Sequence, residues 1–188
     1  MGQPKFVFRN LEERGRLQFF YHSASSSLPV RDVLNEQRHG AKTEPYIEKQ
    51  AENYCTPCFQ SNIVGFLKSP EKYLFLFTTC RNEQLPKKYQ GKRFIVGYII
   101  KQKAIARSGK GKHWWAVQGK TRLYCFEEAY RLGNLIGRVR IRGPKKLDSK
   151  ETARVLDHFD QRRDTSAQCL QELERLKKAL RRTDRRCK

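Results

Sequence analysis

The chain is short of acid. It has 19 Asp+Glu against 40 Lys+Arg in 188 residues, a formal net charge of +21. That imbalance disfavours basic partners and points to a polyanion, nucleic acid before an anionic membrane surface. Long apolar runs are also missing. The longest, Tyr73–Phe77 and Phe94–Ile100, have the length of strands, so no transmembrane span is expected. The N-terminus carries no apolar signal region and no Ser or Thr at position 6, so neither a secretory leader nor myristoylation is expected. The expected compartment is the cytoplasm, or the nucleus in a eukaryote.

Catalytic and metal-binding patterns are equally sparse. There is no G-x-S-x-G elbow and no Walker A loop. His22, His39, His113 and His158 share no ligand spacing. Asp148-x-Lys150 has the letters of a metal-nuclease motif, but it falls on a helix cap. Glu127 and Glu128 are adjacent, and adjacent residues on a helical turn diverge. The six cysteines are scattered, and in a reducing compartment most are expected to be thiols. Only Cys55 and Cys58 form a tight C-x-x-C pair. It has no second pair to complete a zinc site, and no apolar strand precedes it as a thioredoxin-like site requires. No cofactor is expected. The balance favours binding over catalysis, with a nucleic-acid-processing enzyme (nuclease or base-modifying) and a basic protein-interaction module as the alternatives.

What is present is a core and a concentrated charge. Hydrophobic residues make up 38% and aromatics 11%, enough for a folded body. Residues 81–122 hold 12 basic side chains and only Glu83 as an acid. More than half of the surplus therefore sits in a segment that also reads as folded.

Periodicity gives the elements. Lys5–Arg9 and Leu17–Tyr21 read as strands, and Ser23–Ser27 as a loop. Val30–Gln37 reads as a short helix, and Ser61–Lys68 as another, stopped by Pro70. Tyr46–Gln60 is ambiguous. Tyr73–Thr79 reads as a strand buried on both faces. Lys92–Lys103 reads as a long strand whose Gly97 marks a bulge or a close backbone approach. Ser108–Lys112 is a turn. His113–Gln118 and Arg122–Phe126 read as a strand pair joined around Gly119, and Glu127–Leu132 as a helical turn. Arg138–Arg142 alternates as a strand. Asp148-x-x-Glu151 starts a helix as a capping box, and Thr165–Arg182 is a second helix with Leu170, Leu173, Leu176 and Leu180 on one stripe. The order implies an α+β plan built on an antiparallel sheet or small barrel. Residues 1–147 form the main domain, and residues 148–188 a helical appendage that packs on it.

Aromatics are interleaved with the basic segment. Lys112-His113-Trp114-Trp115 follows the Ser108–Lys112 turn, and Tyr98 lies on the neighbouring long strand. Adjacent strand residues point to opposite faces, so one Trp can be core while the other lines a groove. Aromatic faces among cations are what holds an unstacked base.

The block Tyr73-Leu-Phe-Leu-Phe-Thr-Thr79, a polar loop, and Gly91-Lys-Arg-Phe-Ile-Val-Gly-Tyr-Ile-Ile100 resembles the PUA-like superfamily, which includes the EVE, ASCH and YTH domains, over about residues 60–130. The resemblance implies a small barrel with flanking helices that binds RNA or a modified base flipped into an aromatic pocket. It implies Thr78, Thr79, Arg81 and Asn82 at the pocket mouth, and Trp114 or Trp115 as a wall. Gln60 joins them as an edge reader. Lys87, Lys88, Lys92, Arg93, Lys101, Lys103, Lys110, Lys112 and Arg122 supply a phosphate rim. The expected partner is nucleic acid, DNA or RNA, and not a membrane.

Overall fold

A computed structural model describes residues 5–32, 46–49, 57–61, 69–109, 112–135 and 145–186, with side chains for 6–32, 69–105, 117–135 and 145–179. The strands are β1 (Lys5–Val7), β2 (Glu12–Phe19), β3 (Tyr46–Lys49), β4 (Pro57–Ser61), β5 (Glu71–Thr79), β6 (Arg93–Gly109), β7 (Lys112–Leu123), β8 (Tyr130–Arg131) and β9 (Lys145–Leu147). Two helices follow, α1 (Ser149–Asp160) and α2 (Ser166–Arg186). The fold is mixed α+β. One path through the sheet runs β3-β4-β7-β6-β5-β2-β9, with β1 and β8 joined to β6. Among the described residues the sheet does not close on itself.

The sheet is not wholly antiparallel as expected. β2 and β5 run parallel, with Phe19 opposite Phe77. Such a pair needs a long crossover, and the chain between β2 and β5 supplies one. β5 and the first half of β6 are buried on both faces, which explains the uninterrupted apolar run of Tyr73–Phe77. Leu74, Leu76, Phe94 and Val96 join Cys169 and Leu173 of α2 in one core. Phe75, Phe77, Ile95 and Tyr98 join Val155 and Phe159 of α1 in the other.

The first helix begins with a satisfied capping box, and the start of the second is tied to β7. Asp148 accepts the Glu151 amide at 2.7 Å, and Glu151 accepts the Asp148 amide at 3.1 Å. At α2 the Ser166 hydroxyl accepts the Leu123 amide at 2.8 Å, and the Thr165 amide donates to the Leu123 carbonyl at 2.7 Å. The end of β7 therefore seats the second helix. Leu173 is buried, and Leu170 and Leu176 pack partly buried against it, so the described part of the stripe faces the core.

Two bulges shape β6. The register skips at Val96, beside Gly97, and again at Gln102, opposite Gly119. A Cβ on Gly97 would meet the Arg122 carbonyl oxygen at 2.3 Å, and one on Gly119 would meet the Ile100 carbonyl oxygen at 1.7 Å. The bulge expected at Gly97 is present. Gly119 is not a turn: β7 runs through it as one strand, because the glycine marks a close approach of backbones.

Other local expectations change as well. Val30–Asp32 is extended rather than helical, with Arg31 bridged to His22, and residues 33–37 lie outside the described set. Ser61 ends β4 opposite Trp115 instead of starting a helix, and residues 62–68 lie outside the described set. Glu127–Leu132 is a turn followed by β8 and a single 3-10 turn (Leu132–Asn134). Arg138–Arg142 lies outside the described residues.

Candidate nucleic-acid interface

The start of β6 and the loop before it form a cationic surface. The loop folds back on itself: the Gly91 amide donates to the Cys80 carbonyl and the Cys80 amide to the Lys92 carbonyl, both at 2.9 Å. Thr79 lies opposite Arg93, and Arg131 of β8 opposite Phe94. These pairings gather Arg81, Lys87, Lys88, Lys92, Arg93 and Arg131 at one end of the sheet. Glu83 is the one acid of the loop itself. Among the described residues Lys87, Lys92, Arg93 and Arg131 form no ion pair. Arg81 reaches Asp32 at 3.7 Å, and the Lys88 ammonium lies 4.9 Å from the Tyr89 ring centre. Arg131 was missed by the sequence reading because it lies outside the basic window, on a two-residue strand with no periodicity to read.

Behind this surface the polar groups are committed to the frame. Thr78 is fully buried and donates to the Phe20 carbonyl at 2.6 Å. The Asn82 side chain is buried and accepts the Gln84 amide at 2.7 Å, the bond of an Asx turn. These two expected edge readers spend their hydrogen bonds holding the loop. His22 is buried edge-on against Phe126. Its Nδ1 accepts the Arg81 amide at 3.0 Å, which leaves Nε2 to donate to the Leu28 carbonyl at 3.0 Å. Burial pushes its pKa down to about 4, so the ring is neutral at pH 7.

The other predicted members stand elsewhere. Trp114 pairs with Arg107, and Trp115 with Ala106 and Ser61. Gln60 is on β4 opposite Ala116, and Lys112 opens β7 opposite Gly109. This group shares the hairpin end of β6, fourteen positions beyond Arg93, a contour of up to roughly 46 Å at about 3.3 Å per residue. The register thus does not bring the expected pocket mouth and the expected aromatic wall together. Lys110 and Cys55 lie outside the described residues, and Cys58 is described only as a strand residue opposite Gln118. Among the described residues no cluster of His, Cys, Asp and Glu has the makings of a metal site.

Tyr98 and Arg122 face each other across β6 and β7, between the two ends. Tyr98 is 5% exposed, and its ring sits about 6 Å from those of Tyr73, Phe75 and Phe159. It is filled around by the chain's own aromatics. Tyr124 stacks on Phe159 at 4.1 Å, and burial raises its hydroxyl to about 12. Arg122 lies beside that hydroxyl and reaches Asp160 at 3.9 Å.

Lys101, expected on the rim, is buried. Its ammonium donates to the Ser69 carbonyl at 2.8 Å and the Ser69 hydroxyl at 3.2 Å, and lies 4.8 Å from the Phe8 ring centre. Burial lowers its pKa to about 8, opposed by the Glu71 charge. Burial pushes the Glu71 carboxyl up, but the Ser69 hydroxyl, its own amide and Lys146, at 3.3 Å, outweigh this and hold it below the usual range.

Among the described residues no helix is long and apolar enough to cross a membrane. No protein-family model, no curated protein and no solved structure matches this chain.

Proposed function

We propose that the chain binds nucleic acid, DNA or RNA, through phosphate contacts at the loop end of β6. One observation carries this reading: six cations collect there, and all but Arg81 have no ion pair among the described residues. Phosphate oxygens are the abundant partners for such groups, and each contact releases condensed counterions.

The finer part of the proposal is a PUA-like barrel in which Trp114 or Trp115 holds a base, flipped or modified, with Gln60 and Lys112 beside it. Two features support it. The paired bulges on β6 give the curvature that a small barrel needs. The strand pairing also sets Gln60 next to the position of Trp115.

The test is anisotropy titration of labelled single- and double-stranded DNA and RNA over a salt series. The logarithm of affinity should fall linearly with log salt, by roughly 0.9 per phosphate contact on duplex and about 0.7 on single strands. Replacing Lys87, Lys92 and Arg93 together with Gln should lower that slope by about three contacts. A chain that binds no oligonucleotide at low salt, or a triple variant with the slope unchanged, would overturn the reading. Trp114→Ala or Trp115→Ala should cost about 1–3 kcal/mol if that Trp stacks on a base, and no effect from either would remove the base pocket while leaving the phosphate surface.

A further inference from the structure

Resting on the phosphate reading above, we propose that Tyr21 is a stacking platform for an unpaired base of single-stranded nucleic acid, with Thr79 at the base edge and Arg81 and Arg93 on the flanking phosphates. The argument starts from register. Phe19 lies opposite Phe77, and Phe77 opposite Ile95, and all three belong to the α1-side core or pack against it. Two residues further, on the same side, come Thr79 of β5, Arg93 of β6, and Tyr21 just past the end of β2, whose ring meets that of Phe19. The cover stops there. Thr79 is half-buried, Arg93 is exposed, and Tyr21 is 39% exposed.

Tyr21 is unusual in being a large ring left open. The other large exposed hydrophobics among the described residues, Phe6 and Val7, lie on β1 beside the second half of β6. Its position is fixed in advance. The ring meets the Phe19 ring edge-on at 4.9 Å, and the Phe19 ring lies 5.4 Å from that of Phe77. Its carbonyl accepts the Asp32 amide at 2.9 Å. The next residue, His22, is tied to Arg31 and to the Arg81 amide. A base landing on this ring therefore orders little that is not already ordered, which lowers the cost of binding. Duplex bases have their faces occupied by their neighbours, so the platform selects single strands. Arg93 lies across the sheet from the ring, beyond Thr79, and Arg81 follows Thr79 by two residues with its amide on the His22 ring, so two cations stand at this end of the sheet for the phosphates of a stacked nucleotide.

The experiment titrates the full chain, Tyr21→Ala and Tyr21→Phe with labelled oligo(dT), oligo(rU) and a mixed-sequence DNA duplex. Tyr21→Ala should weaken both single strands about tenfold or more. It should leave duplex affinity and the salt slope unchanged. Tyr21→Phe keeps the ring and should bind like the parent, which separates stacking from a folding defect. Equal single-strand affinity for the parent and Tyr21→Ala would overturn the platform while the salt-dependent phosphate reading stands. So would an equal loss in Tyr21→Ala and Tyr21→Phe. Absence of binding to any of the three probes would overturn both.

Discussion

Arg93 and Lys101 sit on the same strand, eight positions apart, and carry the same formal charge. Arg93 stands in solvent at an end of the sheet where cations outnumber acids, with no ion pair among the described residues. Lys101 is 4% exposed and holds Ser69 beside the buried Glu71 carboxylate. One charge is free to meet a ligand and the other is spent on the fold. A tally of basic residues cannot separate them, because availability depends on burial and on partners from β5 and β9. Lys146 shows this: it comes to Glu71 only because β9 pairs with β2.

The sharpest way to break the comparison is to remove the inner cation. Lys101→Ala removes a buried ammonium and leaves the Ser69 carbonyl and hydroxyl without their donor. It should cost about 3 kcal/mol of stability in urea unfolding. A loss under about 1 kcal/mol would mean that Lys101 is as dispensable to the fold as Arg93.

The next effect comes from His22, which lies directly behind the basic end. Its folded pKa, about 4, is below the ordinary value of 6.5, so the folded state favours the neutral ring. That stability is fully present above pH 6.5 and is lost as the pH falls toward 4. Over that window His22 should contribute about 3 kcal/mol. Comparing stability–pH profiles of the parent and His22→Gln isolates it, since the variant should lack this slope. Identical profiles would show that the loop is held by other bonds.

The smallest effect is expected at the surface. Lys87→Gln, Lys92→Gln and Arg93→Gln should each change stability by less than about 0.5 kcal/mol while weakening nucleic-acid binding. Thermal melts beside the salt series check this. A large stability loss would return these residues to the frame and erase the contrast with Lys101.

Much of the frame was legible in the sequence because local rules agreed with the fold. The uninterrupted Tyr73–Phe77 run announced a strand covered on both sides. The Asp148–Glu151 spacing announced a capped helix, and Gly97 announced a bulge. Gly119 misled because one glycine serves both turns and close backbone approaches, and only the Ile100 carbonyl above it decides which. The parallel β2–β5 pair was hidden because strand direction is set by the long chain between them rather than by either strand's pattern. The candidate interface was legible in composition and illegible in place. Residues 81–122 read as one basic region, but a strand as long as β6 carries its two ends apart.

By itself the sequence determined the mixed α+β character, two C-terminal helices of which the first carries its capping box, and a cationic surplus centred on β6. Hydrophobic period and capping chemistry act over a few residues, and charge is a sum that needs no fold. Tertiary structure decided which cations are spent and which remain. It turned Thr78, Asn82 and His22 inward to hold the loop, and filled the surroundings of Tyr98 with its own aromatic neighbours. It left Tyr21 open at the end of the sheet that also carries Arg81 and Arg93. Those assignments depend on strand register and burial, which are made by residues far apart in the chain and meet only when it folds.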